Sequence, residues 1–565
     1  DGSICRICNC PRAPGFLEYL HQMVRSYIEW QPSSVWIDDD LRMAAHAPVG
    51  LGCFCDACLL EFSRLSRKKW TRKSLCDAFS RKDSGTLRAA WVQFNQESLA
   101  HVARAVGAAV AEISPACTLG HQHVWYPYNG LDNSPLFEAL AAYAGHPVGS
   151  RPGGGFYSDH RPRELLQKSV AMARQVEQLP DCVSVICAEV DNFPHVASAK
   201  TPHGTVIESA WYLAQSGCTS LSYAVLSSNY DDVGYYDRIL ARIAGWRPFL
   251  ERYRDANAGT HGGGLNFALG PAHMARTLRP NESPMAWPYG NGGAVDALLA
   301  TGLPLCANGA GACATVLTAE MAQGLTESEM KTVLRGGVLA DGETILVLQE
   351  RGLSDIARVT AEPCSSHGSA LEEFTDDPLN GSHAGHVWQQ IDFEESRIPY
   401  VLRAASKRAR ILGTYMHAEG RACIGPSSLV TSTSLGGRLA VLSYRGWSNT
   451  VSSARKDQLL SLADWISHGT CPARIDGAFP AAIAVRMLDT GRVASVMVLN
   501  CSIDKLPRFT LTVRGFQPQT TATWICPRRR DVVLRSRKID GGQQFMIPAL
   551  GGWSLGWLCM SAAAK

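Results

Sequence analysis

Over the first 255 residues one pattern recurs: a short apolar run, a polar cluster at its end, and then an amphipathic stretch. The apolar runs are 34–37, 117–119, 147–149, 183–188 and 218–224. Between them, 16–29, 90–113, 163–177 and 205–215 carry apolar residues at three- and four-residue spacing, which predicts helices. Strands alternating with helices predict an α/β fold with a parallel sheet, doubly wound or closed as a barrel. No glycine-rich phosphate fingerprint follows any run, since the glycines at 153–155 have the wrong spacing, and a dinucleotide fold is disfavoured. Carboxylates, histidines and aromatics end the runs instead, at Asp38–Asp40, at His121, His123 and Trp125, at Arg151, at Glu189–Asp191 and near Tyr223. Polar residues gathered at the C-terminal ends of parallel strands are how a β/α-barrel builds its site. Five such strands are visible. A whole barrel takes roughly 250 residues, so the expectation is a partial barrel over 1–255 with its N-terminal strands missing, about a hundred residues upstream.

Glycine and small polar residues at 257–264 mark a boundary, and 256–465 reads as a second α/β unit. It holds a helix over 294–303, a capping-box pair at Thr326 and Glu329, a β-rich run at 344–348, and strands at 429–431 and 439–444. From 466 to 565 short alternating runs (482–487, 494–499, 509–513) separated by turns predict an antiparallel β-sandwich.

Composition narrows the function classes. Hydrophobic residues at 46% and charged residues at 19% are globular values and exclude a largely disordered chain. Lys+Arg 54 against Asp+Glu 51 leaves a net charge of +3, with one isolated basic cluster at Arg528, Arg529 and Arg530, so no nucleic-acid partner is expected. No segment approaches about 18 consecutive apolar residues, so neither a membrane span nor a membrane partner is expected. The odd count of nineteen cysteines argues against a fully paired secreted framework and leans towards a reducing, cytoplasmic setting. Nothing at Asp1 resembles a secretory signal.

Three groups of residues carry candidate chemistry. Cys53, Cys55 and Cys58 are spaced to converge on one tetrahedral ion, with Cys5, Cys8 or Cys10 as the fourth ligand. A four-cysteine zinc site has no open position, so its role is structural; otherwise these are buried thiols. Asp38, Asp39 and Asp40 end an apolar strand, where like charges raise the pKa of one carboxyl and suit it to acid catalysis, against a helix cap or a hard-cation site as alternatives. Glu189, beside Asn192, follows the cleanest strand and suits a nucleophile or base. His121, His123 and Trp125 offer either a sugar platform or rim packing.

On these residues the chain resembles the glycoside hydrolase family 42 β-galactosidases and their clan relatives. The family's strand ends in Ile-Asp-Asn-Glu and is followed by a Cys-x-Cys-x-x-Cys cluster; here Ile37-Asp38-Asp39-Asp40 and Cys53, Cys55 and Cys58 stand in the same order. The resemblance implies Cys10 as the fourth zinc ligand, since Pro14 and Phe16 follow it as in the family, and Arg6 as a substrate-binding residue. It implies Asp40 at the acid/base position with Asp39 on the preceding Asn, and Glu189 as the second catalytic carboxylate. Asp in place of Glu is one methylene shorter, which leaves the sugar open between β-galactosides, β-mannosides and other β-hexosides. Also implied are an amidotransferase-like middle domain, a homotrimer, a glycoside or oligosaccharide substrate, and no organic cofactor. The expected chemistry is a retaining double displacement by Glu189 with Asp40 or Asp39, while Arg6, Asp38, His121, His123, Trp125, Asn192 and Tyr223 bind sugar. Its rivals are a carbohydrate-binding relative without turnover and a metal-dependent hydrolase using Asp38–Asp40 with His121 and His123.

Overall fold

The structure is a computed structural model that describes residues 2–560 apart from 82, 125–131, 194–195, 227–231, 270–275, 277–293, 308, 310, 365–369, 390–399, 418, 444–451, 478 and 516–520. Five parallel strands form one wall of a barrel: β1 (Ser34–Ile37), β2 (Thr118–His123), β3 (Val148–Pro152), β4 (Val183–Asp191) and β5 (Ser220–Ala224), in that spatial order. Among the described residues the wall is open, with no pairing between β1 and β5. Helices α1 (Phe16–Ile28), α2 (Asp56–Leu65), α3 (Gly85–Ile113), α4 (Ser134–Ala144), α5 (Glu164–Glu177) and α6 (Pro202–Ser216) connect or flank these strands. The predicted helices and strands of this region all form, with ends shifted by a few residues.

Which face of each strand looks outward follows from packing. Val35 and Ile37 pack with Leu20 and Val24 of α1 and Leu99 of α3, so they face the helices and Trp36 faces the other way. Trp36 is paired with Gly120, and Gly120 with Gly149. The indole lies flat over both glycines: a Cβ at 149 would come within 2.6 Å of the ring, and one at 120 closer still. These two positions therefore have room for no side chain.

Beyond the wall, β6 (His261–Phe267), β7 (Ala312–Leu317), β8 (Gly337–Asp341) and β10 (Arg438–Leu442) run parallel, and β9 (Cys423–Ser432) is antiparallel to β10. The capping box at Thr326 and Glu329 is present. The run at 344–348 is a correction: it is not a strand but lies in α7 (Gly342–Glu350). Its β-branched residues favour a strand, but Asp341 accepts from Thr344 N at 2.7 Å and starts a helix whose Ile345 and Leu348 are fully buried. Replacing Asp341 with Ala should cost about 1–2 kcal/mol, read as a lower urea midpoint at unchanged slope.

The C-terminal strands pair antiparallel in two layers around Ile475, Val485, Val498, Phe509, Trp524 and Phe545. Strand β6 also pairs antiparallel with β11 (Ala481–Met487), so hydrogen bonding runs on from the middle sheet into this sandwich. No described helix is long and apolar enough to cross a membrane.

Candidate functional site

Residues paired across parallel strands share a face, so the side of the wall that carries Trp36 also carries Gln122, Arg151 and Glu189. Glu189 is 8% exposed, near the C-terminal end of β4. Its two carboxylate oxygens accept from Gln122 Nε2 at 2.7 and 2.8 Å. Arg151 Nε lies 3.8 Å from Glu189 Oε1, and Arg151 Nη2 donates to Gln122 Oε1. Arg151 is held in turn by Ser222 Oγ at 3.4 Å and by the Trp36 ring at 5.9 Å. Burial pushes the Glu189 carboxyl up to about 7; Arg151 opposes the shift, while Asp191, Asp39 and Asp38 add to it.

The three acids after β1 separate. Burial raises the Asp39 carboxyl, with Asp38 and Asp40 adding and Arg42 and Arg151 opposing. Asp39 and Glu189 thus feel the same Arg151 and face one another electrostatically. Asp40 is mostly exposed and pairs with Arg42 Nη2 at 3.0 Å. Asp38 is exposed and accepts from Asp39 N at 2.9 Å.

Several expected pocket residues lie elsewhere. His121 and His123 are buried on the helix side of β2 against Phe137 of α4, at ring separations of 5.8 and 5.3 Å. His123 Nε2 meets Ser150 Oγ at 2.8 Å, and burial holds His121 down to about 4, so both are neutral packing groups. The histidines and the aspartate triplet therefore do not form a metal site together. Tyr223 also turns to the helices, 3.1 Å from Ser209 Oγ, and Asn192 is fully buried, donating to Val196 O and Val225 O. Arg6 sits exposed on the N-terminal segment, and Trp125 lies outside the described residues. Gln122 is the residue that sequence reasoning passed over. The signal was present: Val35, Ile37 and Leu119 mark the helix face, which puts 36, 120 and 122 on the opposite one.

The cysteine cluster assembles as a candidate metal centre. The Sγ atoms of Cys10, Cys53, Cys55 and Cys58 all lie within 4.8 Å of one another, with Cys10 3.4 Å from Cys58 and 3.5 Å from Cys55. Thiolates around one ion at about 2.3 Å stand roughly 3.8 Å apart, so four sulfurs at this spacing fit a tetrahedral metal. Cys10 completes the set; Cys5 and Cys8, both free thiols, instead share a hydrogen bond. Hydrogen bonds from Cys10 and Cys58 pull the Cys53 thiol down to about 2. The loop is braced by Phe54, which stacks on Trp91 of α3 at 4.8 Å.

No family model matches the sequence, and no curated protein matches it. The fold does match solved structures. α-L-fucosidase isoenzyme 2 from Paenibacillus thiaminolyticus superposes with a TM-score of 0.62 at 12% identity, over 98% of this chain and 81% of that one. The β-galactosidase of Bacillus circulans sp. alkalophilus gives 0.60 at 11%, over 98% and 83%. A family 42 β-galactosidase of G. stearothermophilus gives 0.59 at 10%, over 97% and 82%. The chain shares its fold with these three enzymes. At such identities the likeness extends to the path of the chain and not to its residues.

Proposed function

We propose that the chain is a retaining glycosidase acting on β-linked hexosides, with Glu189 as nucleophile and Asp39 as acid/base. The observation that carries the reading is a buried Glu189, held by Gln122 at the end of its strand, with the half-buried Asp39 just beyond β1 under the same Arg151. Gln122 and Arg151 favour the ionised form of Glu189, against burial and the charges of Asp191, Asp39 and Asp38 that push its carboxyl up to about 7. Burial, with Asp38 and Asp40 adding, favours the protonated form of Asp39 against Arg42 and Arg151. In a double displacement the first attacks the anomeric carbon, and the second protonates the leaving oxygen and then takes a proton from water. Asp39 is preferred to Asp40 because its side chain is 22% exposed against 71%, although Arg42 pairs with both, at 3.5 and 3.0 Å.

The test is a panel of aryl and alkyl β-galactosides, β-mannosides and β-glucosides, with β-galactosides first because of the fold neighbours. Asp39→Asn should lower kcat/KM by about 10²–10⁴-fold on an alkyl glycoside and far less on a dinitrophenyl glycoside, whose leaving group needs no proton. Asp40→Asn should change either within about threefold. A larger loss in Asp40→Asn would exchange the roles.

The four-cysteine centre would hold zinc, closed to substrate and structural. Trimer formation through the middle unit is a further expectation, tested by light scattering on the eluted protein.

A further inference from the structure

We propose that Arg151 and Gln122 form a positioning relay that holds Glu189 in one orientation and as an acceptor-only carboxylate. The proposal rests on the reading of Glu189 as the nucleophile, and neither residue touches the reacting bond.

The argument begins with donor chemistry. A guanidinium donates and never accepts, so the Gln122 group facing Arg151 Nη2 must be the carbonyl oxygen. That leaves the amide Nε2 turned to Glu189, where it reaches both carboxylate oxygens. Arg151 thus dictates which end of a symmetrical-looking amide the nucleophile sees. At 3.8 Å Arg151 is too far to hydrogen-bond Glu189 itself, so it acts on the carboxylate through space by its charge and through the amide by fixing which end faces it.

The relay is built on strands. Gln122 and Arg151 are direct partners across β2 and β3, and Glu189 stands on β4 next door. Trp36 and Ser222 hold the guanidinium from two sides. The charged and titratable groups around Glu189 are Arg151 from β3, Asp38 and Asp39 after β1, Cys187 and Asp191 on its own strand, and the Tyr212 phenol of α6. Arg151 is the one cation among them, and the anions all disfavour a second negative charge. Without Arg151 the amide can turn over and present its oxygen, which binds a protonated carboxyl and repels an ionised one. Residue 122 would then work against the nucleophile.

The experiment uses the full chain carrying carboxyl-labelled ¹³C-glutamate, with the Glu189 signal assigned by its loss in Glu189→Gln. Titration midpoints are compared for wild type, Arg151→Met, Gln122→Leu and Arg151→Lys, alongside pH profiles of kcat/KM on the best substrate. Both removals should raise the midpoint by about one pH unit or more and carry the acid limb of the profile with it. Arg151→Lys, still a donor-only cation, should return most of the shift. A merely structural role would lower activity without moving the limb. Midpoints unmoved in folded Arg151→Met and Gln122→Leu overturn the relay. A moved midpoint in a protein that hydrolyses no glycoside keeps the relay and overturns the glycosidase reading. Hydrolysis with an unmoved midpoint does the reverse.

Discussion

Glu189→Gln should abolish turnover, lowering kcat by about 10⁴-fold or more, or roughly 5 kcal/mol of barrier, because an amide at this position cannot attack the anomeric carbon. A carbohydrate-binding protein would instead keep its affinity and have no rate to lose, so the variant separates the two classes. The accompanying pH profile has a definite sign. With the carboxyl held near 7, the nucleophilic form is gained as pH rises, and kcat/KM climbs through about pH 7. Were Glu189 the proton donor, the same group would make activity fall there. Stability moves the opposite way. A carboxyl whose folded pKa lies above its unfolded value supports the fold below about pH 4.5, and that support is lost as pH rises to about 7. Glu189→Gln should therefore match wild-type stability near pH 4 and exceed it at pH 8, by an amount of order 1–3 kcal/mol in denaturant titration. A higher melting point with lost activity is the signature of a carboxylate kept in a poor solvent for its chemistry.

The second large effect concerns the cysteine centre. One metal ion per chain is expected by elemental analysis, and Cys58→Ser should reduce it to none. Cys58 is fully buried in a cluster with Phe62, Trp70 and Trp91, so loss of the ion removes the cross-link on which the segment 10–58 closes. Structural zinc contributes apparent binding energies of about 10–16 kcal/mol in isolated fingers, and even a fraction of that exceeds the stability of many domains. The variant should lose the cooperative melting of this region, and activity should follow because Asp38–Asp40 lie on the same segment. Cys76→Ser is the control: half-buried and outside the cluster, it should keep both metal and fold. If Cys58→Ser keeps its melting profile, the centre is not a brace.

Local pattern is enough for the elements wherever one signal dominates. Runs such as Val183–Asp191 have nothing to become but strands, and α1, α3 and α5 show one apolar face. The run at 344–348 misleads because its β-branched side chains match a strand, while the cap that makes it a helix is one aspartate three residues earlier. The cysteine spacing is legible because tetrahedral coordination constrains sequence distance directly, although Cys10 over Cys5 and Cys8 needed either the family pattern or the coordinates.

Facing is another matter. Side chains along a strand alternate with period two, so an error of one residue exchanges the pocket for the helix layer. His121 and His123 carry the more reactive chemistry on paper, yet they are buried against α4, and Gln122 between them holds Glu189. The same limit applies to Asp39 and Asp40: adjacent and chemically identical, they are told apart by burial, which covers Asp39 and leaves Asp40 exposed. The amino-acid order alone thus establishes the parallel strands, the converging thiols of Cys53, Cys55 and Cys58 and the carboxylates near the strand ends, since each depends on local spacing. The choice among neighbouring acids and the Arg151–Gln122–Glu189 chain arise only on folding, because they depend on which groups from β1, β2, β3 and β4 come within a few ångströms of one another.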